Sequence, residues 1–185
     1  MPDIGRAVVQ LVLDKGYVRR DEPFRLSSGE MSHDYVDAKK AIALGRDLRL
    51  VAQAVLDLAG REAIEFEAVG GLTMGADPLA HAIAVLADKR WFAVRKEAKQ
   101  HGKQRSIEGA ELSPGEKVLL VDDVITTGSS SLKALDALEE VGAEVVLATC
   151  IVDRGKLASD AFAERGVAFK PLATYEDLGI DPIGS

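Results

Sequence analysis

Val118-Leu119-Leu120-Val121-Asp122-Asp123-Val124-Ile125-Thr126-Thr127-Gly128-Ser129-Ser130-Ser131 runs from an apolar stretch, through two adjacent carboxylates, into a Thr/Gly/Ser turn. Helical spacing follows at Leu132-Lys133-Ala134-Leu135-Asp136-Ala137-Leu138. The pattern predicts a buried strand over Val118–Val121 feeding a turn at a helix N-terminus. Orphan N–H groups and the partial positive charge of a helix end suit a monophosphate there. Two acceptor-only carboxylates suit vicinal hydroxyl donors, or a group already bound to metal. Together they point to a phosphorylated sugar.

Three other readings fit parts of the block. A strand ending in two acids is also the pattern of nucleotide hydrolases, but no G-x-x-x-x-G-K-[ST] loop accompanies it. No G-x-G-x-x-G follows a strand, which argues against a dinucleotide fold. A solvated turn with an ordinary Ser/Thr helix cap is the third.

Outward from the block, helical and extended patterns alternate. A first helix is expected over 4–13, with Ile4, Ala7, Val8, Leu11 and Val12 on one face. Phe24–Ser27 and Tyr35–Asp37 read as short extended pieces around Ser28-Gly29. A second helix runs from about Arg46 to Leu58 and stops at Gly60. Then come strand Glu67–Val69, a Gly-rich turn, helix Pro78–Leu86 and strand Trp91–Val94. A polar segment covers Glu97–Glu116, ahead of the block and its helix Leu132–Val141. Strand Glu144–Val152, a helix near Leu157–Glu164 and a terminal strand around Val167–Leu172 close the chain.

Such alternation predicts an α/β fold: a central, mainly parallel sheet flanked by helices, with right-handed crossovers. Ligands then bind beyond the carboxyl ends of the strands. The loops Gly70–Gly75, Arg95–His101, Asp122–Ser130 and Asp153–Gly155 should converge on one crevice. One domain over 1–185 is expected, with about 46–172 as core. About 1–45, with the C-terminal segment, should form a small hood over the crevice.

Composition sets limits. The 185 residues suffice for one sizeable core, and 47% apolar content argues against disorder. A net charge of −7 with interspersed signs argues against nucleic-acid binding through a basic face. The single cysteine, Cys150, lies in an apolar run and reads as a buried thiol, and no metal-ligating Cys/His spacing occurs. Neither a signal-peptide pattern nor an apolar stretch of membrane-spanning length is present, so a cytoplasmic location is expected.

The central block resembles the phosphoribosyl diphosphate (PRPP) signature of the type I phosphoribosyltransferases. That resemblance implies that Asp122 and Asp123 bind the ribose hydroxyls. It also implies that Val124, Ile125, Thr126, Thr127, Gly128, Ser129 and Ser130 form the 5′-phosphate turn. Val94-Arg95-Lys96-Glu97-Ala98-Lys99-Gln100-His101-Gly102-Lys103 alone would read as a solvated charge run. With Ile107-Glu108-Gly109 it instead resembles the R-K-x-x-K-x-H-G loop of the orotate phosphoribosyltransferases. Phe24-x-Leu26-x-Ser28-Gly29, Tyr35-Val36-Asp37, the loop Val69 to Ala80 and Val152-Asp153-Arg154-Gly155 resemble further segments of that family.

The resemblance implies transfer of ribose 5-phosphate from PRPP to orotate, in pyrimidine biosynthesis. Arg95, Lys96, Lys99 and His101 would contact the diphosphate, with Lys99 the principal catalytic cation beside Asp122 and Asp123. Thr126 and Arg154 would bind orotate. Mg²⁺ is implied as cofactor, held mainly through PRPP rather than by a dedicated protein site. A homodimer with shared active sites is implied as well, with neither nucleic acid nor membrane as partner. Two positions depart from the pattern, since many relatives carry lysine where this chain has Ser27, and some where it has Met74. Met74 reads equally as core filling. A purine phosphoribosyltransferase and a PRPP-responsive nucleic-acid-binding regulator remain as alternatives.

Overall fold

Three of the apolar runs lie side by side at the centre of one sheet. They are seen in a computed structural model, which describes residues 4–25, 29–96 and 106–183. In chain order the elements begin with α1 (Ile4–Lys15), β1 (Tyr17–Arg25), β2 (Met31–Val36), α2 (Ala38–Ala41) and α3 (Gly45–Arg61). Next come β3 (Ala68–Leu72), α4 (Asp77–Ala87), β4 (Arg90–Val94), β5 (Ile107–Gly109) and β6 (Lys117–Ile125). The last are α5 (Ser129–Glu140), β7 (Glu144–Asp153), α6 (Ala158–Ala163) and β8 (Ala173–Thr174).

The main sheet has the order β5-β4-β3-β6-β7-β8. Every neighbouring pair is parallel except the antiparallel edge pair β4–β5. Strands β1 and β2 form a separate antiparallel pair.

Central parallel strands are apolar on both faces because helices cover both. Val69, Leu119, Val121, Leu147 and Ile151 join the cluster that includes Val8 and Val12 of α1, Val55 of α3 and Leu79 and Ile83 of α4. Val118, Leu120, Ala148 and Cys150 face the other way, towards Leu135 and Leu138 of α5 and Phe162 of α6. Each fully buried Leu, Ile or Val contributes about 1.5–3 kcal/mol, so this two-sided core fixes the carboxyl ends of the strands. Among the described residues no helix is long and apolar enough to cross a membrane.

Several boundaries differ from the sequence reading. Strand β6 continues through both acids to Ile125, because β7 is long enough to pair with it there: Asp122 with Cys150, Val124 with Val152, Ile125 with Asp153. Gly70 and Gly71 likewise belong to β3 rather than to the loop after it. Helix α3 passes through Gly60 to Arg61. Gly60 faces open space, and the chain turns only at Ala63, at φ 53°. Helix α5 starts three residues earlier than the apolar spacing indicates, at Ser129.

Two strands and a short helix lacked a sequence signal. The first half of β1 is charged and exposed on nearly every residue, so it carries no alternation. Strand β5 is a three-residue edge inside the polar segment, and α2 is a single turn. The terminal strand lies just beyond the expected range, at Ala173–Thr174, and within that range Phe169 makes one bridge to Ala148. Pro171 lies between them and cannot donate to a ladder, which an edge position tolerates.

Candidate active site

The strand order places the ends of β3, β4, β6 and β7 together, and two adjoining cavities open there. The first, of about 450 Å³, is lined by Asp122 to Ser131, Arg154, Ile183 and, from the N-terminal segment, Phe24, Arg25 and Tyr35 to Lys39. The second, of about 540 Å³, is lined by Thr73, Met74, Gly75, Arg95, Lys96, Glu108 and again Lys39. Both volumes fall in the range of small-molecule sites.

The two acids are fixed by their own backbone. Asp122 Oδ1 accepts from the Asp123 N–H at 2.9 Å, and Asp123 Oδ1 accepts from the Val124 N–H at 2.8 Å. Their second oxygens differ. Asp122 Oδ2 accepts from the Ser131 hydroxyl at 2.7 Å, inside the first turn of α5. Asp123 Oδ2 accepts from the ammonium of Lys39. Burial of Asp122, with the neighbouring Asp123 charge acting in the same direction, pushes its pKa up to about 7. The pair therefore combines one deeply placed, readily protonated carboxyl with one more open carboxylate paired to a cation.

Close backbone approach builds the floor. A Cβ on Gly71 would lie 2.1 Å from the Val121 carbonyl oxygen, and one on Gly75 would lie 2.6 Å from Asp122 Oδ1 and 2.8 Å from Asp123 Oδ1. Only glycine lets the loop after β3 lie against both acids. The turn after β6 is held from the β7 side. The Arg154 N–H donates to the Ile125 carbonyl at 2.7 Å, and a Cβ on Gly155 would lie 2.0 Å from the Thr126 carbonyl oxygen.

At the turn, the residue preceding α5 is Gly128, at φ 80°, and it has no side chain with which to cap the helix. The ordinary capped-turn reading therefore does not describe this loop. Thr126, Thr127, Ser129 and Ser130 all line the cavity with the first turn of the helix. Val124 and Ile125 line it too, while remaining paired to β7.

Arg154 is only 2% exposed, yet it lines the first cavity. Its Nη1 donates to the Asp34 carbonyl at 3.0 Å, whereas Nε and Nη2 find no partner among the described residues. Burial lowers its pKa, opposed by the charges of Asp34 and Tyr17. A guanidinium edge left unsatisfied in this way costs stability unless an acceptor meets it, and a planar carboxylate or a carbonyl fits. The strand that carries Asp34 is pinned in turn: the Asp34 carboxylate accepts from Tyr17 Oη at 2.8 Å and from Arg19 Nη1 at 2.9 Å.

The sequence-derived residues thus separate into groups. Asp122 through Ser130 and Arg154 share the first cavity. Arg95 and Lys96 line the second, where Arg95 Nη1 bonds Glu108 Oε1 at 2.8 Å. The Arg95 N–H also donates to the Ser106 carbonyl at 2.8 Å, closing the base of the β4–β5 connection. Lys99 and His101, with Ser27, lie outside the described residues. Met74 is 75% exposed at the second cavity and so does not fill the core. Sequence reasoning missed Lys39, Ser131, Asp34 and Tyr17. Of these, only Ser131 had a local signal, as the next hydroxyl after the turn.

A family model for the phosphoribosyl transferase domain matches residues 46–163. An orotate phosphoribosyltransferase of Corynebacterium glutamicum is 45% identical, over 84% of this chain and 84% of its own length. One of Streptomyces avermitilis is 42% identical, over 98% of this chain and 100% of its own. Among solved structures, the Mycobacterium tuberculosis H37Rv orotate phosphoribosyltransferase in complex with PRPP superposes with a TM-score of 0.78. It is 33% identical, covering 96% of this chain and 100% of that one. Similarity of this extent, on a sheet whose strand ends carry the paired acids and the turn, settles the kinship: the chain belongs to the phosphoribosyltransferase family, among its orotate phosphoribosyltransferases.

Proposed function

We propose that the two cavities bind PRPP and orotate, and that the protein transfers ribose 5-phosphate to N1 of orotate. The products are orotidine 5′-monophosphate and diphosphate, a step of pyrimidine biosynthesis. The observation that carries this reading is Arg154, a buried guanidinium with two unpartnered donors, lining the same cavity as the acid pair and the α5 turn. A buried guanidinium calls for an anionic, planar ligand beside the sugar phosphate, and orotate carries both a carboxylate and ring carbonyls. Thr126, on the turn between the acids and α5, would complete the orotate contact.

In this scheme the 5′-phosphate rests on Thr126 to Ser130 and the first amides of α5. Asp123 accepts the ribose hydroxyls, with Asp122 behind it. The bond from C1 to the diphosphate breaks as N1 of orotate bonds to C1, so positive charge develops on the sugar and negative charge on the leaving group. No protein nucleophile is required. Arg95 and Lys96, with Lys99 and His101 by motif, face the diphosphate, and Lys99 strengthens its contact as charge accumulates there. The remote 5′-phosphate contact holds C1 in line.

Mg²⁺ suits this site as a companion of PRPP. Among the described residues no group of three ligating side chains occurs, and Asp122 and Asp123, which line the first cavity, are the carboxylates that would share it with PRPP. When bound, it offsets diphosphate charge.

We assign 46–172 as core and about 1–45, with the C-terminal segment, as hood. The assignment is supported by β2 and α2 lining the first cavity and by the bridge from Gly155 to Ile183. A homodimer is supported by exposed apolar residues along α4 and its flanks: Met74, Val85, Leu86 and Trp91. One buried cysteine suits a reducing cytoplasm.

The direct test follows loss of orotate absorbance on adding PRPP and Mg²⁺, with adenine, guanine, hypoxanthine and uracil followed by diphosphate release. Consumption of orotate alone is expected. Turnover of a purine would overturn the role given to Arg154. PRPP binding without any turnover would favour a regulator.

A further inference from the structure

Lys39 is the one described residue that lines both cavities. Its place is built by the fold. The N–H of Asp37 donates to the Gly16 carbonyl at 2.8 Å, and a Cβ on Gly16 would lie 2.7 Å from the Asp37 carbonyl oxygen. The Asp37 carboxylate then caps α2 through the Lys40 N–H at 3.0 Å, while Ala38 and Ala41 are buried beneath. The Lys39 side chain is 55% exposed, against 13% for Asp123, so the ammonium covers the open oxygen of the pair. Burial lowers the Lys39 pKa, but the hydrogen bond and charge of Asp123, with Asp37 and Asp122, more than offset this and raise it. The group is a fixed cation at neutral pH.

The chemistry of PRPP places two demands on this spot. Its C1 carries the diphosphate, and the adjacent C2 carries a hydroxyl that meets the acids. Any cation resting against Asp123 is therefore a short side-chain movement from the diphosphate. The loop opposite, Thr73 to Gly75, brings no charge of its own, since Met74 stands at its tip.

We propose that Lys39 is a PRPP-binding residue that exchanges partners. Its ammonium leaves Asp123 Oδ2 for the diphosphate, and a ribose hydroxyl takes its place on the carboxylate. The pairing keeps the acid from standing as an uncompensated charge, and the exchange couples recognition of the sugar to recognition of the leaving group. This inference rests on the reading of the cavities as a PRPP site.

The test compares binding of PRPP and of ribose 5-phosphate, each with Mg²⁺, by calorimetry on the intact protein. The variants are Lys39→Met, Lys39→Arg and, as control, Lys40→Met, whose side chain lines neither cavity. Lys39→Met is expected to weaken PRPP binding about 10- to 100-fold, the range for one charge-assisted hydrogen bond. Ribose 5-phosphate, which lacks the diphosphate, should bind Lys39→Met no worse than wild type. Lys39→Arg should recover most of the PRPP affinity, and Lys40→Met should behave as wild type. Equal loss for both ligands would mean that Lys39 only shapes Asp123, and would overturn the exchange. Unchanged PRPP affinity in Lys39→Met would overturn it too, leaving the assigned function standing. If wild type failed to bind PRPP, both readings would fall.

Discussion

Replacing Asp122 with asparagine should make the protein more resistant to unfolding as pH rises, while impairing its ligand binding. The carboxyl is 6% exposed and holds its proton up to about pH 7 in the folded chain, whereas an unfolded Asp releases it near 3.8. Between those values folding takes up a proton. The folded state therefore loses stability with rising pH across that window, at about 1.4 kcal/mol per pH unit, and the loss is complete above about 7. Summed over the window, the penalty at pH 8 approaches roughly 4 kcal/mol, and near pH 4.5 it is about 1 kcal/mol. Asparagine keeps the shape and can still meet the Ser131 hydroxyl, but it cannot ionise. Relative to wild type, Asp122→Asn should thus gain about 3 kcal/mol between pH 4.5 and 8, whatever constant offset the substitution brings. Urea unfolding of both proteins at several pH values measures this directly. In parallel, PRPP affinity of wild type should rise with pH through about 7, as the carboxylate becomes able to accept a second hydroxyl, and Asp122→Asn should lose that component. Parallel stability profiles for the two proteins would refute the argument, because they would show that Asp122 ionises alike in the folded and unfolded chain.

Three further outcomes follow, two from the geometry and one from the family motif. Arg154→Met should raise the KM for orotate by about 10²-fold with little change for PRPP, since it removes the guanidinium that lines the cavity; steady-state kinetics with each substrate varied would show it. Gly75→Ala should cost about 1–3 kcal/mol of stability through contact with Asp122 and Asp123, and should weaken PRPP binding more than orotate binding in calorimetry. Lys99→Ala should lower turnover by about 10²–10³ with a much smaller effect on PRPP affinity, as expected for a contact that tightens in the transition state; unchanged turnover would remove Lys99 from the mechanism.

What the sequence disclosed was set by sequence distance. Asp122 to Ser130 sit on one strand, one turn and the start of one helix, so an apolar run, two acids and a Thr/Gly/Ser cluster expose the whole unit at once. The parallel sheet was legible for a similar reason: β3, β4, β6 and β7 are apolar where helices cover them, and that coverage leaves a mark on each strand separately. Strand β1 leaves no such mark, because its residues meet solvent and its order comes from pairing with β2.

Lys39 and Asp34, which escaped notice, act across long separations. Lys39 meets Asp123 across 84 positions, and Arg154 meets the Asp34 carbonyl across 120. Neither contact has a local pattern, since a lysine within a one-turn helix and an acid in a partly exposed strand look like ordinary surface. The boundary errors have the same origin. Extension of β6 past the acids depends on β7 being long enough to pair with it, and that places Asp122 in the sheet rather than in a loop. Its burial, its bond to Ser131 and its raised pKa all follow from that one displacement. An acid at a strand's end is a ligand group; the same acid three residues inside a buried strand is also a titrating element of the fold. The two carboxylates, adjacent in sequence and alike in type, are thus made unlike by topology: Asp122 is set by the core and Asp123 by what the N-terminal segment lays over it.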